Sequence, residues 1–180
     1  MSASHSAVIS AIGRGFDGLD VPALAKDLGA ELIRLEDFDA TVAAVLAEAP
    51  AAENIVAQGT GDIAFDAEVA AALGLPLAII SGAPQRTGEL AQHNAESLGA
   101  TVAGISTDLE AVPGALAALG DVSPVMSADL FQKQLIDQAR AAGSHIVLPE
   151  GDDDRILEAA HVVLRDKVAK LTILGNEADI

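Results

Sequence analysis

The residues best suited to chemistry in this sequence stand in one short corner, residues 149–155. The corner reads PEGDDDR, which is a Pro-Glu-Gly turn followed by three aspartates and one arginine. An apolar run precedes it and a helical pattern follows it, and ligands of α/β proteins gather where a strand ends and a helix begins. The sequence therefore offers Glu150, Gly151, Asp154 and Arg155 as candidate substrate-binding residues.

The same corner also has a purely structural interpretation. The aspartates at 152–154 begin a predicted helix over residues 152–165, where the macrodipole stabilises an exposed negative charge by roughly 0.3–1 kcal/mol. The same dipole disfavours Arg155, unless Asp152 or Glu158 compensates its charge within one turn or the side chain faces a ligand. The residues alone leave both interpretations open.

Other patterns that could carry chemistry are weak. The segment GRGFDGLD (13–20) could present backbone amides to an anion, but it lacks the Gly-Lys-Ser/Thr ending of a phosphate loop and favours a flexible turn. The segment GTGD (59–62) is compatible with a phosphate or metal corner and more often forms a plain turn between a strand and a helix. The four histidines have no zinc-ligand spacing, so no metal is predicted. No G-x-S-x-G elbow occurs either.

Composition and charge narrow the class of protein. The net charge is −17, and residues 1–120 hold 4 basic and 16 acidic side chains. Such a surface repels nucleic acids and anionic membranes, so neither is predicted as a partner. The chain has no cysteine, which excludes disulfides and thiolate chemistry. No apolar run approaches the roughly 20 residues of a membrane span, and the first residues do not form a signal peptide, so a cytoplasmic protein is expected.

Short apolar runs alternate with alanine-rich helical segments over residues 1–120. This alternation predicts a parallel, doubly wound sheet with helices on both faces, a three-layer α/β fold. Asp20 is predicted as a helix N-cap, and Gly29 and Gly74 as helix ends. The predicted strands are 6–12, 30–35, 53–59, 75–82 and 100–107, and the predicted helices are 21–29, 37–49, 66–74, 86–99 and 108–120.

A second unit is predicted after a linker at 121–126, because Gly120, Ser123 and Pro124 cluster around it. It opens with an amphipathic helix over 127–143, with Ser127 as N-cap. A strand at 145–151, the helix over 152–165 and a strand at 169–175 then complete the first β-α-β unit of a second α/β domain. The pattern of Asn176, Glu177 and Asp179 predicts the start of a further helix. A single β-α-β unit cannot bury both faces of its own sheet. This second domain is therefore expected to be truncated.

Residues 130–180 resemble the start of the catalytic domain of the phosphate acetyl/butyryl transferase family. The similarity lies in the amphipathic helix that ends in "RA", in "IVLPEG" with its acidic pair and Arg155, in Ala159-Ala160, and in "LTILGN" followed by "NEADI". These marks follow one another in the order that the family shows, and they cover about 50 residues.

That resemblance implies a reaction and its participants. The family transfers an acetyl group reversibly between coenzyme A and inorganic phosphate, giving acetyl phosphate. It holds no permanent cofactor, and acetyl-CoA, coenzyme A and phosphate are substrates of the complete enzyme, which is expected to be a homo-oligomer. An aspartate base deprotonates the thiol, and serine and arginine side chains orient the acetyl phosphate. Those family residues lie beyond position 180, so no catalytic residue is expected in this chain, which should be inactive alone.

The segment 53–120 is similar to the second half of a dethiobiotin-synthetase-like domain, through "FDAEVAAALGLPLAIISGAPQRTGELAQHNAESLGATVAGI". This similarity implies that residues 1–120 form an accessory domain. Relatives of that domain often carry an N-terminal phosphate loop and this chain does not, which argues against a nucleotide-dependent carboxylase or ligase. An alternative is a non-catalytic regulatory or oligomerisation module that has lost nucleotide binding.

Overall fold

The computed structural model describes residues 5–175 and divides the chain into two units, residues 1–130 and residues 131–180. The predicted α/β class is confirmed in the first unit, where strands and helices alternate strictly. The strands are β1 (Ala7–Ile12), β2 (Glu31–Arg34), β3 (Ile55–Gln58), β4 (Leu77–Ser81) and β5 (Val102–Ser106). The helices are α1 (Val21–Leu28), α2 (Val42–Glu48), α3 (Ile63–Leu73), α4 (Gln85–Ser97) and α5 (Val112–Leu119).

All strand pairs of the first unit are parallel, and the spatial order is β2-β3-β1-β4-β5. The two faces of this sheet carry separate apolar cores. Val8 and Ile79 belong to the core that also holds residues of α2, α3 and α4, whereas Ile9 and Ile80 belong to the core that holds residues of α1 and α5. Neighbouring residues of one strand point to opposite faces, so strands covered on both sides must be apolar throughout.

Capping side chains set the helix ends. Asp20 caps α1 as predicted, by accepting the N–H of Ala23, and Gly29 and Gly74 end their helices in the left-handed conformation. The predicted starts of α2 and α3 are displaced because other side chains cap them. Thr41 starts α2 five residues later than predicted, and Asp62 starts α3 three residues earlier. Residues Leu35–Asp37 form a separate 3-10 turn.

Residues 121–126, the predicted linker, lie within the first unit. The N–H of Val125 donates to the carbonyl oxygen of Ala71 on α3 at 2.8 Å. Pro124 packs directly against Gly74, where an added Cβ would lie 2.6 Å from the Pro124 Cδ. These contacts hold the segment 124–125 against the end of α3.

The second unit contains most of α6 (Ala128–Ala142), together with β6 (His145–Leu148), α7 (Asp154–Arg165) and β7 (Lys170–Ile173). The predicted β-α-β unit is confirmed, since β6 and β7 form a parallel pair. Ser127 is the predicted N-cap of α6, and its hydroxyl accepts the N–H of Leu130 at 3.1 Å. The helix predicted from Asn176, Glu177 and Asp179 lies outside the described residues.

Candidate functional site

The corner at 149–155 is held at the carboxyl end of the β6–β7 pair by backbone hydrogen bonds. The N–H of Gly151 donates to the carbonyl oxygen of Leu174 at 3.0 Å, and the N–H of Leu174 donates to the carbonyl oxygen of Leu148 at 2.8 Å. Gly151 is buried as a result, whereas Glu150 stays exposed. The corner therefore sits where the sequence places it, directly after a strand and before α7.

The charge of Arg155 is compensated by Asp153, and the predicted partners Asp152 and Glu158 are wrong. Asp153 is the N-cap of α7 and accepts the backbone N–H of Arg155 at 2.9 Å. The same carboxylate accepts the Arg155 side chain at 3.1 and 2.6 Å through both of its oxygens. A capping carboxylate already lies beside the first helical residues, so the guanidinium folds back onto it.

This pairing changes the electrostatics of the corner. The Arg155 guanidinium holds the pKa of Asp153 below its ordinary value, and the backbone N–H of Arg155 adds to the effect. Asp153 in turn raises the pKa of Arg155. Both groups stay charged over a wide pH range, and 89% of the Arg155 side chain remains exposed.

The exposed side of the corner is a shallow depression lined by residues 150 and 152–155. Its lining holds four carboxylates and one cation, and that cation is already paired with Asp153. By itself this surface repels phosphate. The structure brings the candidates Glu150, Asp154 and Arg155 together at one depression, while Gly151 lies buried behind it.

The loop after β1 is filled by its own arginine. Gly82 lies under the aliphatic stem of Arg14, where an added Cβ would be 3.0 Å from the Arg14 Cβ and Cδ. The guanidinium donates to the carbonyl oxygens of Asp17 at 3.0 Å and Thr107 at 3.4 Å. The Asp20 carboxylate occupies the N-terminus of α1, so the position at which a phosphate loop would hold its anion carries a negative charge.

A buried carboxyl group, which the sequence patterns did not single out, organises the loop after β3. Asp66 on α3 is fully buried and accepts the hydroxyl of Ser10 at 2.6 Å. It also accepts the N–H and hydroxyl of Thr60 at 2.8 and 3.0 Å and the N–H of Gly61 at 3.3 Å. Gly59 packs against this carboxyl so closely that any side chain there would collide with it.

The Asp66 cluster favours the plain-turn interpretation of GTGD. Burial raises the pKa of Asp66, while the hydrogen bonds from Ser10, Thr60 and Gly61 lower it and only partly offset the burial. No group of three or more acidic or histidine side chains able to hold a metal occurs within residues 5–175. An acid inside the apolar helix pattern FDAEVAAAL was the one sequence signal that could have revealed this cluster.

A second depression of about 600 Å³ lies at the carboxyl ends of β4 and β5. Ser81 is buried in its wall, and its hydroxyl oxygen accepts the N–H of Ala83 at 3.3 Å. Gln85 donates to Glu89 at 2.9 Å along the side formed by α4. Polar groups over an apolar base at the carboxyl edge of a parallel sheet form the kind of cleft in which small molecules bind. The lining also includes Ile105, Ser106 and Thr107.

The second unit is similar to a known protein family. Residues 130–180 match the family model described as phosphate acetyl/butaryl transferase. This segment belongs to that family. The match begins within α6 and contains β6, the corner, α7 and β7. The predicted resemblance of residues 130–180 is thereby confirmed.

The curated relatives that the chain matches are named phosphate acetyltransferase. The phosphate acetyltransferase of Corynebacterium glutamicum is 58% identical over 55 residues, which are 31% of this chain and 17% of the relative. That of Escherichia coli K12 is 42% identical over 65 residues, which are 36% of this chain and 9% of the relative. That of Acetivibrio thermocellus is 38% identical over 50 residues, 28% of this chain and 15% of the relative. The matched segment therefore spans less than a fifth of the length of each of these relatives.

No solved structure matches the chain at a significant level. Among the helices of residues 5–175, none has both the length and the apolar character needed to cross a membrane.

Proposed function

We propose that the chain is the N-terminal portion of a phosphate acetyltransferase. The observation that carries this proposal is the family match of residues 130–180, with 58% identity to the Corynebacterium glutamicum enzyme over 55 residues. In the proposed reaction, phosphate attacks the acetyl carbon of acetyl-CoA. A carbon–oxygen bond forms, the carbon–sulfur bond breaks, and the coenzyme A thiolate that leaves takes up a proton. The catalytic groups belong to the part of the enzyme that follows position 180.

In this proposal residues 1–120 form a dethiobiotin-synthetase-like accessory domain without a phosphate loop, residues 121–126 connect it, and residues 127–180 begin the catalytic domain. Acetyl-CoA and phosphate are the substrates, no cofactor is held permanently, and the complete enzyme acts in the cytoplasm in acetate metabolism as a homo-oligomer. The filled loop around Arg14 and the Asp20 cap support an accessory domain that does not hold a nucleotide phosphate.

The corner contributes to the substrate cleft of the complete enzyme in this proposal. Glu150, Gly151, Asp154 and Arg155 stand at the carboxyl end of β6, where ligands of parallel sheets gather. Arg155 is largely exposed and its planar guanidinium has donors beyond those that bind Asp153. A phosphate group brought there by other parts of the cleft could accept those donors.

The proposed activity is tested with two proteins. The 180-residue chain alone is expected to show no coenzyme A-dependent turnover of acetyl phosphate. A chimera that continues from Ile180 into the part of the Corynebacterium glutamicum enzyme beyond its matched segment is expected to catalyse the reaction. Turnover by the chain alone, or a folded chimera without turnover, would contradict the proposal.

Arg155→Ala in that chimera separates a substrate contact from a structural one. Loss of a hydrogen bond to a charged group is expected to raise KM for phosphate and acetyl phosphate by about tenfold. Arg165→Ala is the matched control, because Arg165 lies on the same helix and forms a similar pair with Asp166 at 2.7 Å. Steady-state kinetics of both variants give the answer, and equal KM values with equally lowered melting temperatures would make Arg155 structural.

A second candidate function is small-molecule binding by a regulatory first unit. The depression at the carboxyl ends of β4 and β5 favours it, because it combines the buried Ser81 hydroxyl with the exposed polar groups of α4. This function does not depend on the corner, since the lining residues 81–107 and the corner residues 149–155 belong to different units.

A further inference from the structure

The depression at the carboxyl ends of β4 and β5, which we call the β4–β5 depression, contains a buried hydroxyl group with a free proton. Ser81 is the last residue of β4 and is only 6% exposed. Its oxygen accepts the N–H of Ala83 at 3.3 Å, and its proton meets no acceptor within residues 5–175. Buried polar groups normally use their hydrogen-bonding capacity, so this proton is available to an acceptor on a bound molecule.

Gly88 of α4 keeps space open beside that hydroxyl. The residue is buried inside a helix, where glycine is less favourable than alanine. An added Cβ would lie 3.2 Å from the Cγ2 of Ile105 and 3.6 Å from the hydroxyl oxygen of Ser81. A side chain at position 88 would therefore fill the base of the depression. Glycine leaves this space to a ligand, and the partly exposed Ile105 gives it an apolar wall.

The charge of the depression selects the class of ligand. Glu89 is the one charged residue in its lining. The Glu89 carboxylate accepts the neutral amide of Gln85 at 2.9 Å, and no cation within residues 5–175 pairs with it. The start of α4 has no side-chain cap and carries about half a unit of positive charge, which is less than the full negative charge of Glu89. The balance attracts a cation and repels phosphates and carboxylates.

We infer that the β4–β5 depression binds a small molecule that carries a protonated amine, an oxygen acceptor and a short apolar part. The amine meets the carboxylate of Glu89, the oxygen accepts the Ser81 hydroxyl, and the apolar part lies over Gly88 and Ile105. This inference rests on the second candidate function and names its ligand class. Phosphate, acetyl phosphate and coenzyme A are anions, so the substrates of the proposed reaction are not ligands of this depression.

Three probes of similar length test the ligand class on the 180-residue chain. Aminobutanol carries an amine and a hydroxyl at opposite ends, butanediol replaces the amine by a hydroxyl, and hydroxybutyrate replaces it by a carboxylate. NMR titrations follow the backbone amides of Ser81, Gly88 and Glu89. Aminobutanol is expected to bind with a Kd on the order of millimolar, as suits a ligand of few atoms. It is expected to bind about fivefold more tightly than butanediol, and hydroxybutyrate most weakly. Aminopropanol and aminohexanol extend the series in length.

Glu89→Gln removes the charge and keeps the size of the side chain. It is expected to lower the affinity for aminobutanol about fivefold, to that of butanediol. Glu96→Gln is the matched control, because Glu96 lies on the same helix and accepts the Gln92 amide at 2.7 Å in the same i,i+4 arrangement. Its affinity for aminobutanol is expected to equal that of the unmodified chain.

Gly88→Ala fills the base of the depression and is expected to abolish the binding of aminobutanol. Far-UV circular dichroism reports whether this variant is folded. If it is not, the comparison of Glu89→Gln with Glu96→Gln decides, because both glutamates are exposed and neither change disturbs the core. A folded Gly88→Ala variant that binds as the unmodified chain does overturns the inference.

The remaining outcomes separate the ligand class from the functions proposed above. Butanediol or hydroxybutyrate that binds as tightly as aminobutanol overturns the amine and leaves small-molecule binding by the first unit in place. Equal affinities of Glu89→Gln and Glu96→Gln for aminobutanol have the same meaning. No shift at Ser81, Gly88 or Glu89 with any probe overturns the ligand class and the second candidate function together. The proposed acetyl transfer is tested by the chimera and is independent of these results.

Discussion

Asp66→Ala is expected to lower the free energy of unfolding of the first unit by about 2–4 kcal/mol, because each buried donor left without an acceptor costs about 1–3 kcal/mol. The carboxyl of Asp66 accepts the buried hydroxyl of Ser10 and the partly buried donors of Thr60 and Gly61, and alanine offers none of them an acceptor. Chemical denaturation followed by far-UV circular dichroism measures the change, since the chain has no Trp or Tyr for fluorescence.

Asp62→Ala is the matched control on the same helix. Asp62 caps α3 by accepting the N–H groups of Ala64 and Phe65, and its removal is expected to cost about 1 kcal/mol, as for other helix N-caps. If Asp66→Ala costs no more than Asp62→Ala, the buried cluster does not stabilise the loop after β3.

The same carboxyl gives a pH dependence whose sign follows from its raised pKa. Its unfolded-state pKa is close to the ordinary value of 3.8, and burial raises the folded-state pKa above that. The folded chain holds the Asp66 proton more tightly than the unfolded chain, so this proton adds to the free energy of unfolding. That contribution is fully present below pH 3.8 and is lost as pH rises through the folded-state pKa. Asp66→Asn has no such proton, so the stability difference between the unmodified chain and this variant is expected to shrink as pH rises. A difference that grows with pH would contradict this assignment.

Gly74→Ala is expected to destabilise the first unit by about 2–4 kcal/mol, through the strain of a left-handed residue and an overpacked contact. Gly74 has φ +69°, and an added Cβ would lie 2.6 Å from the Cδ of Pro124 and 2.7 Å from its backbone nitrogen. The segment 124–125 would have to leave α3, and the hydrogen bond from Val125 to Ala71 would be lost.

Gly29→Ala separates the two contributions. Gly29 has φ +64° at the end of α1, but nothing lies within 4 Å of an added Cβ. Its substitution is expected to cost only about 1–2 kcal/mol, from the left-handed conformation alone. Denaturation measures both variants, and hydrogen exchange at Val125 reports whether the segment is released. Equal costs for the two substitutions would show that Pro124 yields without penalty.

The helix boundaries show which features local sequence patterns predict correctly. Asp20, Gly29, Gly74 and Ser127 act as predicted, because a cap depends on residues within one turn of it. The predicted start of α3 at residue 66 is displaced because Asp62 caps the helix and Ile63 begins it. Several residues near a helix start can cap it, and the backbone conformation selects one of them.

Some features of the candidate corner were also predictable from the sequence and others were not. Its place after β6 and at the start of α7 followed from the pattern of apolar and acidic residues. The partner of Arg155 did not, because Asp152, Asp153 and Glu158 all lie within reach in sequence and only the cap geometry brings Asp153 to the guanidinium. Asp66 could be noticed as an acid in an apolar helix, but its partner Ser10 is 56 positions away.

The sequence by itself determined the α/β class, the alternation of strands and helices, most helix ends and the family of residues 130–180. The tertiary structure alone decided the strand order β2-β3-β1-β4-β5, the burial of Asp66 beneath the loop after β3, and the docking of Pro124 on Gly74. The physical reason is the separation along the chain between the residues that interact. Periodicity and capping depend on neighbours within a few positions. These contacts instead join residues that are distant in sequence and that meet only once the sheet has assembled.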